Sequence, residues 1–483
     1  MNQIGLKKAV IINFIAKYSN IIVQLILNAI LARLLTPDDY GIVAIISVFI
    51  TFFSIIADMG IGPAIIQNKK LSKEENIDIF AFTIYVAIFI SILFCIVSIP
   101  ISMIYSNKIY IQLGCITSIG IFFNVLNIVP SSLLYKEKRF KDIGIRTVSV
   151  TCIAGAITIV LAFLGAKYYA IIANSIIMAL IIFIWNYSSV DLSMKFKFNK
   201  ESIKKIREFS LFQFGFNIIN YFSRNLDTLL IGSYMNSSEL GYYDKAYKLM
   251  LYPVQNLTFV ISPVLHPILS DYQDDKERVY KEYLKVVKLL SLLGVFFCVF
   301  SFFGAREIII IMFGGQWERS IGLFQILSIS IWPQIVTSST GAIFQSVGET
   351  KKLFQCGIIT SILNCTLIII GVLSGSLSIV AIGVTIGYIM SFIIAYFIML
   401  KGVFKRSFIK FLALFTKHLF IVVIMGAAFI AYNLIFDGVI GEKLFLSAIL
   451  KLVVAIVTYL IGLIITKEFT FLYNLLKGLI RRE

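Results

Sequence analysis

The sequence predicts an all-α polytopic membrane protein of about fourteen transmembrane helices, organised as two parallel repeats. Three observations predict it. The first is composition: 59% of the 483 residues are hydrophobic, only 14% are charged, and the mean hydropathy is +0.92. A soluble domain has no use for so much apolar surface, and apolar stretches of about 20 residues recur from end to end. The second is the placement of lysine and arginine. The third is a polar pattern inside two of the apolar stretches.

Spans begin near residues 10, 41, 80, 110, 146, 169, 208, 246, 286, 320, 353, 377, 412 and 445. With the N-terminus and every second loop on one side, that side collects most of the 43 Lys and Arg. Its clusters include Lys136–Lys138–Arg139–Lys141–Arg146, Lys195–Lys197–Lys200 and Lys401–Lys405–Arg406–Lys410–Lys417. The other side receives Arg33, Lys108, Lys167, Lys245, Lys248, Arg319, Lys443 and Lys451. This asymmetry places both termini on the cytoplasmic side of the membrane. The net charge of +17 is then topological, its natural neighbours being the bilayer's anionic headgroups, and no nucleic acid is needed as a partner.

The first apolar run reaches spanning length without a small-residue cleavage site, so it reads as a retained helix rather than a signal peptide. The longest cytoplasmic loops, 190–207 and 270–285, carry mixed charge and are expected to form interfacial amphipathic helices. The six cysteines stand singly, and the two histidines, His266 and His418, lie in unrelated segments. A His-based metal site or catalytic triad is therefore not expected, and no cofactor is.

The first span carries Asn13, Lys17, Asn20, Gln24 and Asn28 at spacings of 4, 3, 4 and 4. At 100° per residue they share an arc of roughly 80° on one helix face. A lone asparagine is ordinary interhelical glue, but a mid-membrane lysine costs about 2.5–3.5 kcal/mol and must face protein or water. The stripe marks a helix lining a polar interior. It recurs 200 residues later as Gln213, Asn217, Asn220, Arg224 and Thr228. Each stripe precedes a short acidic turn with glycine, "LLTPDDYG" at Gly41 and "YMNSSELG" at Gly241, and Pro63 and Pro263 are expected to end the next helix. Equivalent spans separated by six helices run in the same direction, which implies parallel repeats about an axis along the membrane normal, with the two polar faces lining a central cavity.

The stretches "ARLLTPDDYGIVAIISVF" (32–49), "DMGIGPAIIQ" (58–67) and "SRNLDTLLIGSYMNSSELGYYDKAYKLMLYPVQN" (223–256) resemble bacterial polysaccharide flippases of the Wzx and teichuronic-acid-exporter type. These belong to the multidrug/oligosaccharidyl-lipid/polysaccharide (MOP) exporter superfamily. "FGGQWERS" (313–320) and "AIFQSVGETKKLF" (342–354) are similar to the family as well. The resemblance implies a MATE-like arrangement of two six-helix lobes, 1–200 and 201–405, with two extra C-terminal helices in 406–483. It also implies alternating-access movement of an undecaprenyl-pyrophosphate-linked oligosaccharide to the outer leaflet, coupling to Na+ or H+, and a polysaccharide polymerase and glycosyltransferases as partners.

Lys17, Asn20, Gln24, Asn28, Asn217, Asn220 and Arg224 are the candidate substrate-binding residues, the amides for sugar and the cations for pyrophosphate. Lys17 has a rival role, snorkelling to the interface, and Arg224 another, pairing with Asp227 on its own helix. Asp58 and Asp227 are the candidate ion-coupling carboxylates; Asp58 also reads as a helix-end acid before a Gly/Pro break. Arg306, beside Glu307, reads as an intrahelical structural charge or as the outer end of the ninth span. Tyr242, Tyr243 and Tyr247 fall where an interfacial aromatic belt is expected. The competing functions are a cation-coupled multidrug antiporter, a lipid II flippase, and a membrane-embedded polysaccharide polymerase. The short outer loops and the lack of a carboxylate/His cluster disfavour the enzyme.

Overall fold

The computed structural model describes residues 6–204, 221, 224–270, 275–440 and 443–481, and all regular structure there is helical. Eleven described helices are long and apolar enough to cross a membrane, and they match eleven of the predicted spans. A bent pair, Arg319–Ser328 with Ile331–Ser346 at 42°, makes a twelfth near the predicted start at 320. The span predicted from 208 lies mostly outside the described residues. The span predicted from 246 falls on a continuous helix, Ser237–Ser270, whose first half carries Glu239, Asp244, Lys245 and Lys248. The described count is thus eleven to twelve. The chain divides into two compact units, Met1–Gly241 and Tyr242–Glu483.

The first unit holds α1 (Leu6–Leu34), α2 (Pro37–Asp58), α3 (Ile61–Gln67), α4 (Lys73–Ile104), α5 (Ile109–Leu126), α6 (Ile128–Lys136), α7 (Phe140–Phe163) and α8 (Tyr168–Ser189). It continues with α9 (224–234), and the first turn of α10 (Ser237–Ser270) closes it. Helix α2 is deeply embedded; Tyr40 through Ile46 are all buried. It starts at a capping box in which Thr36 Oγ1 accepts the Asp39 N–H at 3.2 Å and Asp39 Oδ2 accepts the Thr36 N–H at 2.9 Å. A related cap opens α10, where Asn236 Oδ1 accepts the Glu239 N–H at 2.8 Å.

These two helix starts touch reciprocally. A Cβ on Gly41 would collide with the Ser237 carbonyl, and a Cβ on Gly241 with the Pro37 carbonyl. Ser237 Oγ also donates to Asp38 Oδ1. The repeat read in the sequence therefore has a physical form here: position 41 meets 237 and position 241 meets 37. The turns sit at Thr36 and Asn236, so both glycines lie inside helices and serve close approach rather than chain reversal.

The predicted proline stops are not helix ends. Helix α2 ends at Asp58, where Met59 and Gly60 take left-handed backbone (φ 43° and 76°), and Pro63 sits in the first turn of α3. A first-turn proline sacrifices only an N–H that has no helical partner. Pro263 lies within α10, which continues to Ser270. Of the loop 190–207, read as able to form an interfacial amphipathic helix, 200–204 are helical and 205–207 lie outside the described residues. Residues 190–199 are non-helical and lie along α4, where Tyr85 donates its hydroxyl to the Phe196 carbonyl at 2.5 Å and Phe198 packs edge-on against Phe82. The other expected interfacial segment, 270–285, supplies the start of α11 from Lys276.

The second unit holds α11 (Lys276–Phe303), α12 (Ala305–Phe313), α13 (Arg319–Ser328), α14 (Ile331–Thr337), α15 (Thr340–Ser346) and α16 (Thr350–Leu373). It ends with α17 (Leu377–Met399), α18 (Phe408–Leu412), α19 (Thr416–Ile440), α20 (Leu444–Ile465) and α21 (Glu468–Arg481). Helix α11 is its spine. Val279, Tyr283 and Val287 build one core with Phe392, Tyr396 and Phe411, while Leu292, Val295 and Val299 build another with Ile421, Met425 and Phe429.

The tyrosines expected in an interfacial belt are instead packed inside this unit. Tyr243 is 1% exposed and stacks on Tyr247, whose hydroxyl meets that of Tyr388 at 2.7 Å. A buried phenol needs a hydrogen-bond partner, and Tyr247 finds one in another helix. The motif "FGGQW" also packs inward. Trp317 is fully buried against Tyr242 and Phe313, and the Lys245 ammonium sits 4.9 Å above the Phe313 ring. In "SVGETKK", Gly348 takes φ +71°, and Glu349 binds Lys352 (3.0 Å) and Lys276 (3.4 Å), tying the start of α16 to that of α11. The Lys352 hydrogen bond holds the Glu349 carboxyl below its ordinary pKa.

Arg306 and Glu307 lie just past the end of α11, in the first turn of α12, and Glu307 is bound from another helix. Its partners come from α20: Lys451 Nζ at 2.8 Å and Ser447 Oγ at 2.8 Å, with Lys451 also donating to the Phe303 carbonyl at 3.1 Å. Both charges are buried, which ties the break between α11 and α12 to the interior of α20. Breaking a buried pair from one side strands the other charge, at about 3–5 kcal/mol, whereas an apolar pair of similar volume is near neutral. Lys451→Met should therefore lower the thermal midpoint in detergent sharply, and Glu307→Met/Lys451→Met should recover most of it. The glycine contact is expected to behave as one unit: Gly41→Ala and Gly241→Ala each destabilise by about 1–3 kcal/mol. The double variant should cost clearly less than the sum, because the first Cβ already separates the helices.

Candidate functional site

Helix α1 shows what its polar stripe faces. The exposed residues Ile15, Ile22 and Ile26 (59%, 58% and 55%) lie on one side of the helix. At 100° per residue, the stripe of Lys17, Asn20, Gln24 and Asn28 is centred roughly 180° away. A third face packs on α7, where Gly144 and Gly155 have no side chain between them and Ala16 and Leu27. The stripe residues are half-buried. The polar row thus lies opposite the most exposed isoleucines of the helix and is less exposed than they are. Asn28 Nδ2 donates to the Gln24 carbonyl at 2.9 Å, while the Asn20 Oδ1 is buried and accepts no hydrogen bond among the described residues.

The second stripe is seen in part. Asn217 and Asn220 lie outside the described residues, as does Gln213. Arg224 and Asp227 are on α9, which is held against α2. Tyr221 donates its hydroxyl to the Val48 carbonyl, the Tyr105 hydroxyl reaches the Leu229 carbonyl at 3.3 Å, and a Cβ on Gly232 would fall 2.8 Å from Ile45 Cδ1. On this platform Arg224 is exposed and Asp227 is 3% exposed. The intrahelical Arg224–Asp227 ion pair is not formed among the described residues; Asp227 Oδ1 accepts the Thr228 N–H at 2.8 Å. An exposed guanidinium on a fixed helix is available to an anionic ligand. Asp58 Oδ1 accepts the Gly62 N–H at 3.2 Å across the α2–α3 break, so it caps α3.

By sequence, Arg146 belongs to a cytoplasmic loop cluster. The structure buries it on α7 at 6% exposure, where it donates to Asn186 Oδ1, and Asn186 Nδ2 donates in turn to Asn127 Oδ1 at 2.7 Å. No carboxylate belongs to this chain of amides among the described residues. The available signal was depth: Arg146 stands inside an apolar run, two turns past the loop.

These features define a class: a multi-spanning helical bundle whose first helix turns a polar, cation-bearing face away from lipid. Comparison with known proteins agrees. The chain belongs to the polysaccharide biosynthesis protein family, which matches residues 30–322. It is 24% identical to the lipopolysaccharide biosynthesis protein WzxC of Escherichia coli (strain K12), over 82% of each chain. Its fold is that of the lipid II flippase MurJ in an inward closed conformation, with a TM-score of 0.74 at 18% identity over 95% of this chain and all of that one. An inward-facing multidrug MATE transporter of the MOP superfamily gives a TM-score of 0.64 at 14% identity, over 80% and 96%. At such identities the structural likeness shows the fold alone, a MurJ- and MATE-like helical arrangement, as the resemblance implied.

Single cysteines placed in a cysteine-free background test the orientation of α1. Asn20→Cys, Gln24→Cys and Arg224→Cys should react with a membrane-impermeant thiol reagent in open membrane fragments, while Ile22→Cys should stay silent. Equal labelling of Ile22→Cys and Gln24→Cys would reverse the assignment of faces.

Proposed function

We propose that this protein is a flippase that carries undecaprenyl-pyrophosphate-linked oligosaccharide repeat units from the inner to the outer leaflet for assembly of a cell-surface polysaccharide. The observation that carries the proposal is the α1 stripe, turned away from the lipid-facing isoleucines in a chain of the polysaccharide biosynthesis family. A sugar headgroup cannot enter about 30 Å of hydrocarbon without partners for its hydroxyls, whereas the polyprenyl tail needs nothing else. Half-buried amides on a fixed helix supply those partners. Cations at Lys17 and Arg224 suit the pyrophosphate.

In this account the chain has fourteen spans, with lobes at 1–200 and 201–405, two added helices in 406–483, and both termini in the cytoplasm. The lobes alternate access around a central cavity, with Na+ or H+ as the coupling ion and Asp227 or Asp58 as the coupling carboxylate. Polysaccharide polymerase and glycosyltransferases act on either side of the step.

Arg224→Ala should abolish surface glycan while leaving the protein at normal level in the membrane, and Lys17→Ala should reduce it less. Arg224→Lys should retain partial export, since it keeps the charge and loses the fork. Surface glycan by immunoblot, normalised to membrane protein, is the measurement. Full export in the Arg224→Ala strain would remove the pyrophosphate role.

A further inference from the structure

In the second unit, three segments that the sequence assigns to the cation-rich side converge on one cavity of about 400 Å³. They are the start of α11, the start of α19 and the start of α21. Lys285, Lys288 and Lys417 line it with a single carboxylate, Glu468, and with the rings of Phe415 and Phe471. Glu468 is 2% exposed, and two of the lysines share it: Lys288 Nζ at 2.5 Å and Lys417 Nζ at 3.6 Å. Lys288 also lies over the Phe471 ring at 4.4 Å. Lys285 binds the exposed Glu282 at 2.8 Å, outside the cavity lining. The lining therefore carries more positive than negative charge, and the Lys285 and Lys417 side chains are more than half exposed.

What borders the cavity indicates the source of an anion. Leu414 (41% exposed) lines it, Ile409 (79%) and Leu412 (38%) are exposed on the preceding α18, and Phe469 (48%) and Tyr473 (56%) flank Phe471 in the sequence of α21. Helix α21 is amphipathic. Its Phe471 and Leu472 pack on the core of the second unit, and Lys477 lies near its far end, 5.8 Å from the Tyr473 ring. A free inorganic anion has no use for this apolar border, whereas a phospholipid has: its acyl chains meet the exposed leucines and isoleucine while its phosphate meets the ammonium groups. We infer that this cavity binds the headgroup of an anionic phospholipid of the cation-rich leaflet, with α21 lying along the membrane surface beside it. The inference is independent of the transported substrate, since it uses residues of the second unit that the proposed flippase site does not.

The test uses the purified full chain in phosphatidylcholine nanodiscs doped with phosphatidylglycerol, with bound lipid counted by native mass spectrometry. Lys285→Gln/Lys417→Gln leaves the Lys288–Glu468 pair intact, and Lys195→Gln/Lys197→Gln removes the same charge from exposed positions in the first unit. Phosphatidylglycerol occupancy should fall by about fivefold for each cavity lysine removed and stay unchanged in the control. The lipid should also raise the thermal midpoint of wild type and control but not of the cavity variant. Equal loss in both variants, or equal retention of phosphatidylcholine and phosphatidylglycerol by wild type, would overturn the proposal. Displacement of the lipid by millimolar inorganic phosphate would assign the cavity to a free anion instead. If the double variant is less stable in phosphatidylcholine alone, Lys417→Gln by itself gives the same readout with a fivefold expectation.

Discussion

Hydrocarbon offers no hydrogen bonds, and every polar group this chain carries into its spans is arranged under that constraint. Helices satisfy the backbone. Hydroxyls then close on their own helix: Thr117, Ser132, Thr147, Thr151 and Thr158 each donate to the carbonyl four residues back at 2.6–2.8 Å. Longer polar side chains reach another helix. His418 Nδ1 and the Trp332 indole meet on Ser291 Oγ at 2.6 and 2.9 Å, and the Glu307–Lys451 pair is completed by Ser447. These contacts tie helices together where apolar packing against lipid-like neighbours supplies little preference of its own.

On the α1 stripe, Asn20 Oδ1 is buried with no hydrogen-bond partner among the described residues, as are the Oδ1 atoms of Asn76, Asn174 and Asn433, and Arg224 stands exposed on a helix anchored elsewhere along its length. At the second-unit cavity Lys288 and Lys417 share the buried Glu468 while Lys285 binds Glu282, and the Lys285 and Lys417 side chains remain more than half exposed.

Close approach is the other recurring device. Gly41 and Gly241 bring two capped helix starts into reciprocal backbone contact, and Gly144 and Gly155 let α1 lie against α7. In each case the missing Cβ sets which residues of the partner helix lie inward. The stripe owes its direction to this: with Ala16 and Leu27 fixed on α7 and the isoleucines exposed, the stripe occupies the remaining, half-buried face.

The sequence alone determined the class, most of the span positions, the family and the stripe of α1, because each rests on short-range periodicity or on composition, which the bilayer enforces residue by residue. It located the turns within the two glycine-ended stretches and the equivalence of positions 41 and 241, but not that the glycines admit a neighbouring backbone, and it placed helix ends at Pro63 and Pro263. Whether a glycine reverses the chain or admits a neighbour, and whether a proline stops a helix, depends on what lies alongside. Tertiary structure decided the partner of Glu307, the burial of Tyr243 and Arg146, and the gathering of three distant basic segments around one cavity. These are contacts between residues far apart in the chain. No local pattern encodes them, since an ion pair or a cavity exists only where packing brings its walls together.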